Sequence, residues 1–132
     1  PSRSSAASDV YKRQLGDLGR LQAEMFRAVR LVVDTGMHAK RWSREQAIEY
    51  MITKTGMTTE EVTREIERYV VWPGQATTYK TGQLALLAMR EEAELKLGER
   101  FDLREFHEAV LMNGAMPLDI LKDNLSSWAA SQ

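Results

Sequence analysis

Between Leu18 and Val33 the apolar positions Leu18, Leu21, Met25, Ala28, Val29 and Val32 recur at intervals of three and four. That spacing lays them along one face of an amphipathic helix, the face expected to turn toward a core. Gly36 follows, and a glycine just past the periodic run predicts the stop. Ser43-Arg44-Glu45-Gln46 has the form of a capping box, in which the Ser43 hydroxyl and the Gln46 amide satisfy free backbone N–H groups. A second helix is therefore expected from Ser43 to about Thr55, with Gly56 as its left-handed cap. Thr59-Glu60-Glu61-Val62 opens a third, its carboxylates in the first turn where the helix dipole favours them. Trp72-Pro73-Gly74 ends it, because the residue before a proline is pushed out of helical geometry.

A longer helix is expected from Gly74 or Gln75 to Leu97, about 35 Å at 1.5 Å per residue. Gly82 lies inside it at a cost of roughly 1 kcal/mol against alanine, which predicts a close backbone neighbour there. Gly98 caps its end, Asp102-Leu103-Arg104-Glu105 begins another helix to about Met112, and Asn113-Gly114 stops that one. Pro117 suits the first turn of a last helix through about Leu125. No window alternates as a strand does, and there are no hairpin signals. The predicted fold class is all-α, with five or six helices.

Residues 1–14 read unlike the rest: Ser-rich, without apolar periodicity, and lacking the apolar core of a signal peptide. Asp9-Val10-Tyr11-Lys12-Arg13-Gln14 resembles the in-frame translation of the transposase mosaic end used in sequencing libraries. The segment is expected to be a disordered, non-native tail, the alternative being a natural disordered N-terminus. Residues 15–132 are then expected to be the C-terminal helical portion of a larger domain.

Composition narrows the function. At 132 residues the chain is one domain or a piece of something larger. It has no cysteine, which removes disulfides, thiol nucleophiles and cysteine metal sites. Lys and Arg number 18 against 19 Asp and Glu, so no nucleic-acid partner held by bulk charge is expected. The longest apolar runs are too short to span a membrane. Phosphate-binding and dinucleotide-binding glycine motifs are absent. His107-Glu108-Ala109-Val110-Leu111 begins like the zinc signature His-Glu-x-x-His, but Leu111 stands where the second imidazole is needed. No metal ligand set is expected in this chain, and His107 is read as a partly buried or surface helix residue.

Two segments carry candidate chemistry. His38, in Asp34-Thr35-Gly36-Met37-His38, is expected in a short loop between capped helices, where functional side chains tend to be presented. The alternative is a histidine that bonds the last carbonyls of the helix. Tyr79 and Lys80 follow Trp72-Pro73-Gly74-Gln75 and fall near a helix N-terminus, a place suited to a polarised or anionic oxygen. The alternative there is Tyr79 packed in the core. Arg30 and Asp34, four apart, would gain a few tenths of a kcal/mol if paired on the surface. A partly buried Arg30 could instead hold the Asp34–His38 segment or a substrate carboxylate.

Arg27 through His38 with Trp42-Ser43-Arg44-Glu45-Gln46-Ala47, Arg68 through Ala76 with Tyr79-Lys80-Thr81-Gly82-Gln83, and Phe101 through His107 with Asn113 through Leu118 together form a recognisable order. From about Leu15 to Leu125 they resemble the C-terminal region of the bacterial "domain of unknown function 885" family. Its members are longer, mostly helical proteins that look like zinc metallopeptidases of the gluzincin kind, often exported. The resemblance implies zinc as the cofactor and a peptide as the substrate of a full-length protein. The family's His-Glu-x-x-Pro-Gly-His motif and its Glu-Gly-Trp segment are absent here, so this chain alone is expected to be inactive. It also implies that His38 and Tyr79 donate hydrogen bonds to the oxyanion of a tetrahedral intermediate, with Arg30 or Lys80 binding a substrate carboxylate or orienting them.

A second reading is a non-catalytic helical interaction module of the same ancestry. Seven methionines fit an adaptable binding surface, although methionine at helical spacing is more often core. A helix layer that belongs to a larger domain is expected to expose an apolar face and to self-associate.

Overall fold

The structure, a computed structural model, describes the backbone of residues 3–132 and the side chains from Gln14 onward. The expectation for the tail 1–14 therefore lies largely outside the fully described residues. Among the described residues there are six α-helices and no strand: α1 (Arg3–Lys40), α2 (Arg44–Thr55), α3 (Thr59–Val71), α4 (Thr78–Leu97), α5 (Leu103–Leu111) and α6 (Leu118–Ser131). Short 3-10 turns at Gln75–Thr77 and Gly98–Arg100 flank α4. The all-α expectation holds. None of these helices is long and apolar enough to cross a membrane.

The chain divides into two compact units, Pro1–Lys80 and Thr81–Gln132. In the first, Val29 and Val33 of α1 meet Ala47 and Met51 of α2, Val62, Ile66 and Tyr69 of α3, and Ala76. In the second, Met89 and Ala93 of α4 pack with Phe106 of α5 and with Leu121 and Leu125 of α6. Trp128, edge-on to Phe106 at 6.2 Å, carries α6 past its expected end at Leu125.

Both expected caps of α2 form: Ser43 and Gln46 make the reciprocal box, and Gly56 closes the helix at φ +66°. α3 opens at Thr59 as expected, with Glu60 and Glu61 in its first turn, and Thr58 with Glu61 forms a reciprocal box there as well. Asp102 accepts from the backbone N–H of Arg104 and Glu105 to start α5.

Three expectations are corrected. Gly36 does not end the first helix; α1 runs on to Lys40, and Arg41 at φ +57° makes the break. Gly36 is instead where the Trp42 indole closes on the helix, so close that an added Cβ would stand 2.6 Å from the ring. Of the expected core stripe, Val29 is buried, beside Val33, but Leu18, Leu21, Met25 and Val32 do not face the core and are exposed. At Gly82 no described atom lies within 4 Å of a Cβ, so no close neighbour explains that glycine.

Candidate functional site

Because α1 continues through Gly36, His38 lies in its last turn rather than in a loop. Arg30, Asp34 and His38 are four apart, and residues at that spacing lie one above the other on a helix face. All three reach the C-terminal part of α3 or the turn that follows. The Arg30 guanidinium donates from Nε to the Tyr69 hydroxyl at 3.0 Å and from Nη2 to Glu65 Oε2 at 3.0 Å. Both Asp34 oxygens accept from the Gly74 N–H, at 3.0 and 3.1 Å. His38 Nε2 stands 3.1 Å from the Tyr69 carbonyl. A carbonyl only accepts, so Nε2 carries the proton and donates. Of the two alternatives for Arg30, the partly buried one holds, and in place of a surface pair with Asp34 there are three separate fastenings.

Glu65 is the hub. Its Oε2 accepts from Arg30 Nη2, from Arg68 Nη2 at 2.8 Å and from the Tyr69 hydroxyl. Partial burial pushes the Glu65 carboxyl up, but hydrogen bonds from Arg68 and Tyr69, the Arg68 charge and the bond from Arg30 together outweigh it and hold it below its ordinary value. Burial first, then the bond to Glu65, push the Tyr69 phenol well above its ordinary value against the opposing Arg30 charge. Tyr69 therefore stays a neutral donor.

A carboxyl with a depressed folded value stabilises the fold above its unfolded value, about 4.3 for glutamate, and that stabilisation is lost as pH falls through the folded value. Stability is accordingly expected to stay level from about pH 7 to pH 5 on this account and to fall below about pH 4. Glu65→Gln should make that acid limb shallower, as read by urea melts across the pH series.

The other sequence-predicted residues follow from this hub. Arg68 Nη1 donates to Gln75 Oε1 at 2.8 Å, and Gln75 Nε2 donates to the Tyr79 hydroxyl at 3.3 Å. The Arg30 guanidinium carbon lies 4.2 Å from the centroid of the Phe26 ring and 5.2 Å from that of Tyr79. At these distances the cation is attracted to both ring faces. Tyr79 is half exposed and does not belong to the packed core. Lys80 reaches back to Glu24 at 3.1 Å, and its hydrogen bond, then its charge, hold the Glu24 carboxyl below its ordinary value.

Arg30 and Tyr79 are therefore brought together and Lys80 is tied to Glu24 on α1, whereas His38, two turns from Arg30, is bonded to the Tyr69 carbonyl and makes no described contact with either. Sequence reasoning missed Glu65, Arg68, Tyr69 and Gln75. The available signal was Glu65, Arg68 and Tyr69 at three- and four-residue spacing on α3, which puts a carboxylate beside a guanidinium and a phenol. His107 is on the surface, its ring 6.1 Å from that of Phe106. Among the described residues no three His, Asp or Glu side chains are grouped to hold a metal ion, so the residues present do not fit a zinc site.

The model of a family described as "Bacterial protein of unknown function (DUF885)" matches residues 6–125. A solved structure, "The crystal structure of the putative lipoprotein from Colwellia psychrerythraea", is 59% identical with a TM-score of 0.88. The match covers 89% of this chain and 20% of that one, so this chain spans about a fifth of that relative. No curated protein matches.

Proposed function

The chain belongs to this DUF885 family of bacterial proteins, and on that premise we propose that it supplies one wall of a peptide-hydrolysing cleft in longer family members. In this reading Tyr79 donates a hydrogen bond to the oxyanion that develops when the scissile carbonyl is attacked. His38 Nε2 already donates to Tyr69, so a second donation from this imidazole comes from Nδ1 and requires the doubly protonated ring. Arg30 stabilises the site by its charge beneath Tyr79, and Lys80 or Arg30 meets a substrate carboxylate. Zinc belongs to the part of the longer proteins beyond this match, and no residue here is assigned to it. The lipoprotein description of the Colwellia relative fits the exported setting that the family resemblance implies.

The observation that carries the reading is the half-exposed Tyr79 side chain, its ring 5.2 Å from the largely buried Arg30 guanidinium and its hydroxyl bonded to Gln75, an arrangement suited to an oxyanion-binding donor. In a longer family member with these residues at the matched positions, Tyr79→Phe is expected to lower kcat/KM for peptides roughly 100-fold, and His38→Ala about tenfold or more. Unchanged kinetics for both substitutions would overturn the assignment.

The apolar stripe Leu18, Leu21, Met25 and Val32 on α1 favours a second reading, a helical interaction module. The same exposed face is expected of a helix layer from a larger domain, so residues 15–132 expressed alone should self-associate with rising concentration in analytical ultracentrifugation. A monomer with a sharp cooperative melt at every concentration would count against an unpartnered face.

A further inference from the structure

The donor and acceptor roles around Gln75 are fixed by chemistry alone. An arginine has only donors, so the Gln75 atom 2.8 Å from Arg68 Nη1 is the carbonyl oxygen. The other end of the amide is then the NH2 group, which only donates. It faces the Tyr79 hydroxyl at 3.3 Å, so the phenolic oxygen accepts there. A phenol has one proton, and with its oxygen accepting from Gln75 that proton remains to be given elsewhere. Arg68 itself cannot swing freely, because its Nη2 is bound to Glu65 at 2.8 Å, and Glu65 is shared with Arg30 and Tyr69.

We propose that Arg68 and Gln75 are positioning residues that set the Tyr79 hydroxyl as an outward hydrogen-bond donor for a substrate carbonyl oxygen. The proposal rests on the cleft reading above and adds the device that orients its donor. Glu65 anchors Arg68, Arg68 fixes which way the Gln75 amide faces, and Gln75 decides which way the Tyr79 proton points. Reversing the last link reverses the outcome. A carboxylate at position 75 offers no proton, so Tyr79 would donate to it and have nothing left for a substrate.

Two measurements test this, and they fail separately. The first uses the 132-residue chain and the side-chain amide of Gln75 in 15N relaxation. An ordered amide in the wild type that becomes mobile in Arg68→Leu is expected, with Arg68→Lys restoring part of the order. An amide as mobile in the wild type as in Arg68→Leu overturns the relay whatever the chain's activity. The second is a kinetic cycle in a longer family member with these residues at the matched positions. Arg68→Leu and Gln75→Glu are each expected to lower kcat about tenfold or more with KM little changed, and to add nothing in a Tyr79→Phe background. Losses that persist in that background overturn the positioning role and leave Tyr79 itself standing. An ordered Gln75 amide together with a Tyr79→Phe variant of full activity overturns the cleft reading and the proposal with it.

Discussion

Glu65→Ala is expected to lower the stability of the chain by about 3 kcal/mol in chemical denaturation. The substitution removes the acceptor for three donors at once and leaves the guanidinium of Arg30, whose side chain is only 12% exposed, without its carboxylate. Removing one partner of a desolvated pair costs more than the pair contributes, because the other charge stays behind. The cluster opens to solvent on the Arg68 side, where the side chain is 31% exposed, which keeps the expected cost at the lower end of the range for buried pairs. Glu65→Gln retains an acceptor and should lose about half as much. A double replacement, Glu65→Leu with Arg30→Met, removes both charges and should recover part of the loss. A cost below about 0.5 kcal/mol for Glu65→Ala would reduce the cluster to a surface ion pair.

The second large effect concerns Gly36. Glycine inside a helix ordinarily costs about 1 kcal/mol against alanine, so the substitution should help on local grounds. Here the new Cβ would lie 2.6 and 2.7 Å from Trp42 Cε3 and Cδ2, and the Trp42 N–H donates to the Gly36 carbonyl at 2.9 Å. The indole cannot back away without loosening the end of α1 and its contact with Tyr50, whose ring lies 5.5 Å from it. Gly36→Ala is therefore expected to destabilise by about 2 kcal/mol, within the range of overpacked cores. Two controls make the cause visible. In a Trp42→Ala background the same substitution should become neutral or favourable. Gly82→Ala, which meets nothing within 4 Å, should stabilise by about 1 kcal/mol.

Much of the architecture was legible because it is local. Ser43 with Gln46, Gly56 and Asp102 satisfy backbone groups within a few residues of themselves, and a short window of sequence contains the whole argument. Gly36 misled for the same reason: the partner that makes glycine necessary, Trp42, folds back from beyond the helix end, and a glycine after an apolar run looks like a cap. The stripe from Leu18 to Val32 misled in another way. Its spacing reports that a face is apolar, not how much of that face its own chain covers, and here α2 and α3 cover Val29 together with Val33 while Leu18, Leu21, Met25 and Val32 stay exposed.

The candidate site divides along the same line. His38, Tyr79, Arg30 and Lys80 could be singled out by residue type and local setting. The contacts that give them their hydrogen-bonding state cross 31 residues from His38 to Tyr69 and 39 from Arg30 to Tyr69. Asp34 shows the gap most plainly. Its sequence neighbours suggested Arg30 as partner, but its carboxylate is taken by the Gly74 N–H, 40 residues away, which ties the Pro73–Gly74 turn to α1.

The central claim is that Tyr79 binds developing negative charge rather than the resting substrate. The direct measurement is the Ki of a phosphonate peptide that mimics the tetrahedral intermediate, against wild-type and Tyr79→Phe forms of a longer family member. The account predicts that Ki rises by the same factor, roughly 100-fold, by which kcat/KM falls, while KM stays nearly constant. A Ki that does not change while the enzyme still turns over peptides would contradict it.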